Sequence, residues 1–84
     1  MPTRTDPADD PVTMLDCLNL SCPEPILRTR AALREIPVGA RIQVLATDPG
    51  FPPDVEAFTT RTGHELVELD AGPALISVVL RRLH

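Results

Sequence analysis

Leu20-Ser21-Cys22-Pro23-Glu24-Pro25-Ile26-Leu27 decides how this chain is read. The stretch sets a thiol immediately before a helix start. Proline is favoured at the first helical position, where its missing N–H would have no partner anyway, so a helix is predicted from Pro23 to Ile36. Ile26, Leu27, Ala31, Ala32, Leu33 and Ile36 form an approximate helical stripe, with Arg28, Arg30, Arg34 and Glu35 between them. Cys22 then falls at or next to the N-cap, where the helix dipole and unpaired N–H groups favour a thiolate. Pro23 and Pro25 donate no hydrogen bonds and Glu24 adds a negative charge. The expectation is an accessible thiol that is only modestly acidified. On spacing alone, a small buried hydrophobe is an equally good reading of Cys22.

Outward from this stretch, Pro and Gly punctuate the chain. Met1 to Val12 is rich in Pro and Asp and reads as a disordered tail over residues 1–12, with one domain over 13–84. Thr13 to Leu18 is a short strand candidate, and Asn19 tolerates the left-handed backbone of a sharp turn. Pro37-Val38-Gly39-Ala40 stops the first helix. Arg41 to Thr47 is a second strand, with Ile42, Val44 and Ala46 on one face. Asp48 to Asp54 reads as a turn-rich loop entering a second helix, with Val55, Phe58 and Thr62 on its inner side and Gly63 at its end. His64 to Asp70 and Ala74 to Arg82 are strands joined by a tight Ala71-Gly72-Pro73 connection. In the last strand Ala74, Ile76, Val78 and Leu80 share a face. The first crossover makes strands one and two parallel, and the hairpin makes strands three and four antiparallel. The fold class is therefore α/β: a two-layer sandwich, β-α-β-α-β-β, with a four-stranded mixed sheet and two helices on one face.

Composition narrows the function. The net charge is −4, and all eight basic residues are arginines, which excludes a Schiff-base lysine. Two Phe with no Tyr or Trp, on an acidic chain, argue against direct nucleic-acid binding. Two cysteines are too few for a disulfide scaffold. Cys17, Cys22, His64 and His84 match no metal-ligand spacing, so no metal and no cofactor is expected. A reducing, cytoplasmic setting is the default. No signal peptide is visible, and apolar runs such as Val78-Val79-Leu80 are far too short to span a bilayer, so no membrane role is expected.

These residues resemble the TusA/SirA-like sulfur-carrier family over about residues 14–82. The family pattern of Leu-Asp, a Gly-Leu pair and Cys-Pro-x-Pro reads here as Leu15-Asp16, Asn19-Leu20 and Cys22-Pro23-Glu24-Pro25. A helical Arg matches Arg30, a Gly before the second strand matches Gly39, an Asp-Pro turn matches Thr47-Asp48-Pro49, and Gly63-His64 precedes the third strand. The chain departs from the pattern at Asn19 in place of Gly and at Leu18 in place of a frequent basic residue. Thr59 stands where many members carry a second Cys, which argues against a thiol from that helix.

The resemblance implies a persulfide relay rather than a stand-alone enzyme. A donor protein, a cysteine desulfurase or a rhodanese, passes a sulfane sulfur to Cys22, and Cys22 hands it to an acceptor protein. Family acceptors serve tRNA thiolation, cofactor sulfuration or sulfur oxidation. Pro23, Glu24 and Pro25 then orient the site or support the helix start, and Arg28 and Arg30 are docking candidates. Asp16 and Asp48 read as turn-closing residues, Arg34 as part of a solvated face, Cys17 as packing and His64 as a hydrogen-bonded junction residue. Two other readings compete. One is a regulatory or scaffolding module of the same fold without sulfur chemistry. The other is a redox protein pairing Cys17 with Cys22, which lacks the C-x-x-C spacing of such proteins.

Overall fold

A computed structural model describes residues 12–84. Six elements follow in order: β1 (Val12–Cys17), α1 (Glu24–Leu33), β2 (Arg41–Ala46), α2 (Phe51–Thr62), β3 (Glu65–Ala71) and β4 (Ile76–Arg81). They form a four-stranded mixed sheet in the order β1-β2-β4-β3. β1 and β2 are parallel, and β4 runs antiparallel to both β2 and β3. The expected two-layer α/β architecture is the one observed. The tail reading lies outside the described residues over 1–11, and Val12 opens β1.

The core lies between the sheet and the helices. Ile42, Val44 and Ala46 on β2 and Ile76, Val78 and Leu80 on β4 are buried, as strand periodicity predicts. Phe51 and Val55 of α2 and Leu33 of α1 close over them, with Ile36 from the turn after α1. Each Val, Leu, Ile or Phe among them, fully buried, contributes about 1.5–3 kcal/mol.

Both helices differ from the sequence reading in onset and in face. Pro23 is the N-cap of α1 and not its first helical residue, and Pro25 lies in the first turn. The buried positions of α1 are Pro25, Thr29 and Leu33, whereas Leu27 is 48% exposed. A threonine can sit inside here because its hydroxyl donates to the Pro25 carbonyl at 2.8 Å. The helix α2 begins at Phe51, inside the segment read as loop, because prolines at Pro52 and Pro53 fall where a helix has unpaired N–H groups to spare. Its buried face is Phe51, Val55 and Thr59, with Phe58 and Thr62 only half-buried. Gly63 ends α2 at φ 83°, a left-handed conformation suited to glycine.

In β3 the register shifts between Leu66 and Glu68. Val67 is the extra residue. Leu66 and Leu69, three apart, thereby both pack against the core, and Glu65, Glu68 and Asp70 pair with Arg81, Val79 and Ser77 on β4.

Candidate functional site

Parallel pairing of β1 and β2 brings the loops that follow both strands to the same edge of the sheet. The loop after β1 carries Cys22. The loop after β2 carries Thr47 and Asp48 and runs into the first turn of α2, where Asp54 sits.

Side-chain oxygens accept the free N–H groups of the first loop. The Leu18 N–H donates to Asp16 Oδ1 at 2.9 Å, and the Asn19 N–H donates to Thr47 Oγ1 at 2.9 Å. Asn19 adopts φ 63°, the left-handed turn its residue type allows. The Cys22 N–H donates to Asp48 Oδ2 at 2.8 Å, and the Gly50 N–H reaches the other oxygen of the same carboxylate at 3.4 Å. Asp16 and Asp48 thus close turns as the sequence predicts, and Asp48 also ties the two loops together.

Cys22 is a free, exposed thiol one residue before the N-cap of α1. Its Sγ–H donates to Asp54 Oδ2 at 3.3 Å. This hydrogen bond, the nearby negative charges of Asp54 and Asp48, and partial desolvation push the thiol pKa up. The expectation of a modestly acidified thiol is therefore overturned. The field of α1 is opposed by two carboxylates that lie 26 and 32 residues away in sequence. Sequence reading missed Asp54. The available signal was the parallel pairing itself, which puts the start of α2 beside the start of α1.

A groove of about 320 Å³ runs from Cys22 along the seam between α1 and α2. Ile26 and Leu27 on one wall and Ala57 and Phe58 on the other make it apolar, and Arg30 and Arg61 flank it. Of the two docking candidates, Arg30 faces this groove and has no ion pair among the described residues. Arg28 instead pairs with Glu24 one turn earlier at 3.4 Å, with both side chains more than half exposed. Glu24 is thus a first-turn acid, favourable at a helix start.

The remaining candidates lie elsewhere. Cys17 is fully buried in the core, where desolvation raises its pKa, as expected of a packing residue. Thr59 is interior, with its hydroxyl donating to the Val55 carbonyl at 3.0 Å. His64 lines a different depression, with Arg34, Arg82 and His84, and does not border the Cys22 groove. Among the described residues no three His, Cys, Asp or Glu side chains converge as a metal set, and no helix is long and apolar enough to cross a membrane.

The profile of the family described as sulfurtransferase TusA matches residues 13–82. The chain belongs to the TusA family. The sulfur carrier protein TusA of Allochromatium vinosum is 46% identical over 54 residues, covering 64% of this chain and 71% of that one. A protein of Neisseria meningitidis serogroup A, provisionally named as a sulfur carrier, is 42% identical over 67 residues, covering 80% of this chain and 90% of its own. A SirA-like protein from Desulfitobacterium hafniense has the same fold, with a TM-score of 0.74 at 22% identity, over 87% of this chain and all of that chain.

Proposed function

We propose that this TusA-family chain is a protein-to-protein sulfur carrier with Cys22 as its persulfide site. The observation that carries the reading is the contrast between its two thiols. Cys22 is exposed at the mouth of the inter-helix groove, and Cys17 is fully buried.

In the loading step Cys22 Sγ attacks the terminal sulfur of a donor persulfide, R–S–SH. The Sγ–S bond forms, the donor S–S bond breaks, and the donor leaves as a thiolate that takes up the proton Cys22 gives up. The sum is Cys22–SH plus R–S–SH giving Cys22–S–SH plus R–SH, with no external oxidant. The same exchange with an acceptor thiol completes the relay. A cysteine desulfurase or a rhodanese suits the donor side. An acceptor in tRNA thiolation, cofactor sulfuration or sulfur oxidation suits the other. Such persistent free thiols belong in a reducing cytoplasm. Pro23 and the buried Pro25 fix the direction of the thiol, and Arg30 offers a docking charge beside it. The relay itself needs no metal, membrane or nucleic acid.

The test is donor-driven loading read by intact mass. The wild type gains about 32 Da, one sulfur atom, and Cys22→Ser gains nothing because its hydroxyl holds no persulfide. Cys17→Ser costs about 1–3 kcal/mol if its buried hydroxyl finds no partner, and its folded fraction still loads. A folded Cys17→Ser protein that gains no sulfur would refute a single-thiol relay, and an unloaded wild type would favour the scaffolding reading.

A further inference from the structure

From the Cys22–Asp54 contact we infer that Asp54 is a positioning residue that tells the empty carrier from the loaded one: it holds the empty Cys22 as a protonated thiol and turns the loaded sulfur away from α2. The inference rests on the carrier reading of Cys22.

In the empty state Sγ–H donates to Asp54 Oδ2 at 3.3 Å. The Cys22 N–H donates to Asp48 Oδ2 at 2.8 Å, so two carboxylates stand near the thiol and both oppose its ionisation. Asp54 is itself held on a helix, in the first turn of α2, and its N–H donates to the Gly50 carbonyl at 3.3 Å. On loading, the proton that Sγ gives up goes to the departing donor thiolate, so the exchange balances without Asp54 changing its charge.

Loading reverses the interaction. The Sγ of Cys22–S–SH carries no hydrogen, so the bond to Asp54 is lost. The terminal sulfur is more acidic than a thiol and ionises readily. An anion there is repelled by Asp54 and Asp48, and its free direction is outward from the exposed side of Cys22, towards an acceptor. The empty carrier is thereby quiet, and the loaded carrier is reactive at the same pH.

The experiment compares alkylation of Cys22 by iodoacetamide against pH in the wild type, Asp54→Asn and Asp54→Glu, in both empty and loaded protein, with circular dichroism to confirm folding. Asp54→Asn keeps an acceptor of nearly the same shape and removes the charge. The empty thiol should then react faster at neutral pH, on the order of threefold, and its reactivity should rise at lower pH. The loaded form should change little, so the loaded-to-empty rate ratio falls. Asp54→Glu restores the charge and should retain a later rise than Asp54→Asn. Identical pH profiles for the empty wild type and a folded Asp54→Asn protein would overturn the inference, as would an equal acceleration of both forms. A wild type that alkylates as expected but never gains a sulfur would refute the carrier reading and leave the Cys22–Asp54 coupling standing.

Discussion

The two ends of the sheet solve opposite hydrogen-bonding problems. At the end where β1 and β2 finish, both helices begin, and helix starts leave N–H groups without partners. Around that end carboxylates accept N–H groups of the loops that lead into the helices: Asp16 accepts from Leu18, and Asp48 accepts from Cys22 and Gly50. At the other end both helices stop, and helix ends leave carbonyls. There cations and imidazoles donate. Arg82 Nη1 donates to the Ile36 carbonyl at 2.6 Å and to the Arg34 carbonyl at 3.4 Å, and Arg81 Nη1 donates to the Gly39 carbonyl at 3.0 Å. His84 Nε2 donates to the Thr62 carbonyl at 2.7 Å. The two ends thus differ in the side chains that bond the backbone, carboxylates at one and guanidinium groups with an imidazole at the other. The lesson concerns the thiol. The start of α1 favours a cysteine anion, but Asp54 in the first turn of α2 and Asp48 in the loop before it oppose one, and the Cys22 pKa is raised.

The comparison is broken most severely by removing the donor that closes the basic end. Arg82→Met keeps much of the aliphatic stem and deletes the guanidinium. The carbonyl of Ile36, a buried residue, then loses a charged partner, at a cost of about 1.5–3 kcal/mol. Urea unfolding should show a lower midpoint with an unchanged slope. The pH profile of Cys22 alkylation should not move. If it does, the two ends are coupled and the separation drawn above fails.

Asp48→Ala probes the acidic end and should cost less, about 1 kcal/mol, because the N–H groups of Cys22 and Gly50 lie near the surface and water can replace the carboxylate. Its mark is on reactivity. One of the two charges opposing the thiolate is gone, so Cys22 should alkylate faster at neutral pH, by less than in Asp54→Asn, because Asp54 alone also accepts the Sγ–H. Slower alkylation would mean that Asp48 matters mainly by presenting the thiol and not through its charge.

How much of this was legible follows from where each signal resides. The six elements were readable because Asn19, Gly39, Gly63 and Gly72 punctuate the chain and because Ile42, Val44 and Ala46 alternate with polar or half-buried neighbours. The onset of α2 was not, since Phe51-Pro52-Pro53 carries the composition of a loop and becomes helical only because a first turn tolerates proline. The inner face of α1 was misjudged because Thr29 satisfies its hydroxyl on its own helix and so competes with Leu27 for the interior. The position of Cys22 before a helix could be read from its own stretch, but its exposure could not, since spacing alone suits a buried thiol equally well. Its acidity was not a local fact. It depends on Asp48 and Asp54, which only the parallel pairing of β1 and β2 delivers to the thiol.

The smallest expected effect comes from pH and separates the ends again. His64 is half-buried, stacks on His84 at 4.5 Å with an 18° interplanar angle, and faces Arg82 and the ring of Phe58. Its Nδ1 accepts the Leu83 N–H at 3.2 Å, so the neutral ring carries its proton on Nε2. Protonating Nδ1 would break that bond and set a cation beside His84 and Arg82. Burial first, then those two groups, lower the His64 pKa from its ordinary value of 6.5. In the unfolded chain the ring takes up its proton near 6.5, and in the folded chain it does so only at lower pH. Between those two values the unfolded state binds more protons, so stability is complete above 6.5 and falls as the pH drops below it. His64→Gln removes this titration. Its unfolding midpoint should therefore fall less than that of the wild type between about pH 7.5 and about pH 5.5. Cys22 alkylation should follow the same pH profile in both proteins, because the ring bonds neither Cys22 nor Asp54 and meets the groove only through Phe58. Equal acid sensitivity in the two proteins would mean that His64 does not carry the loss.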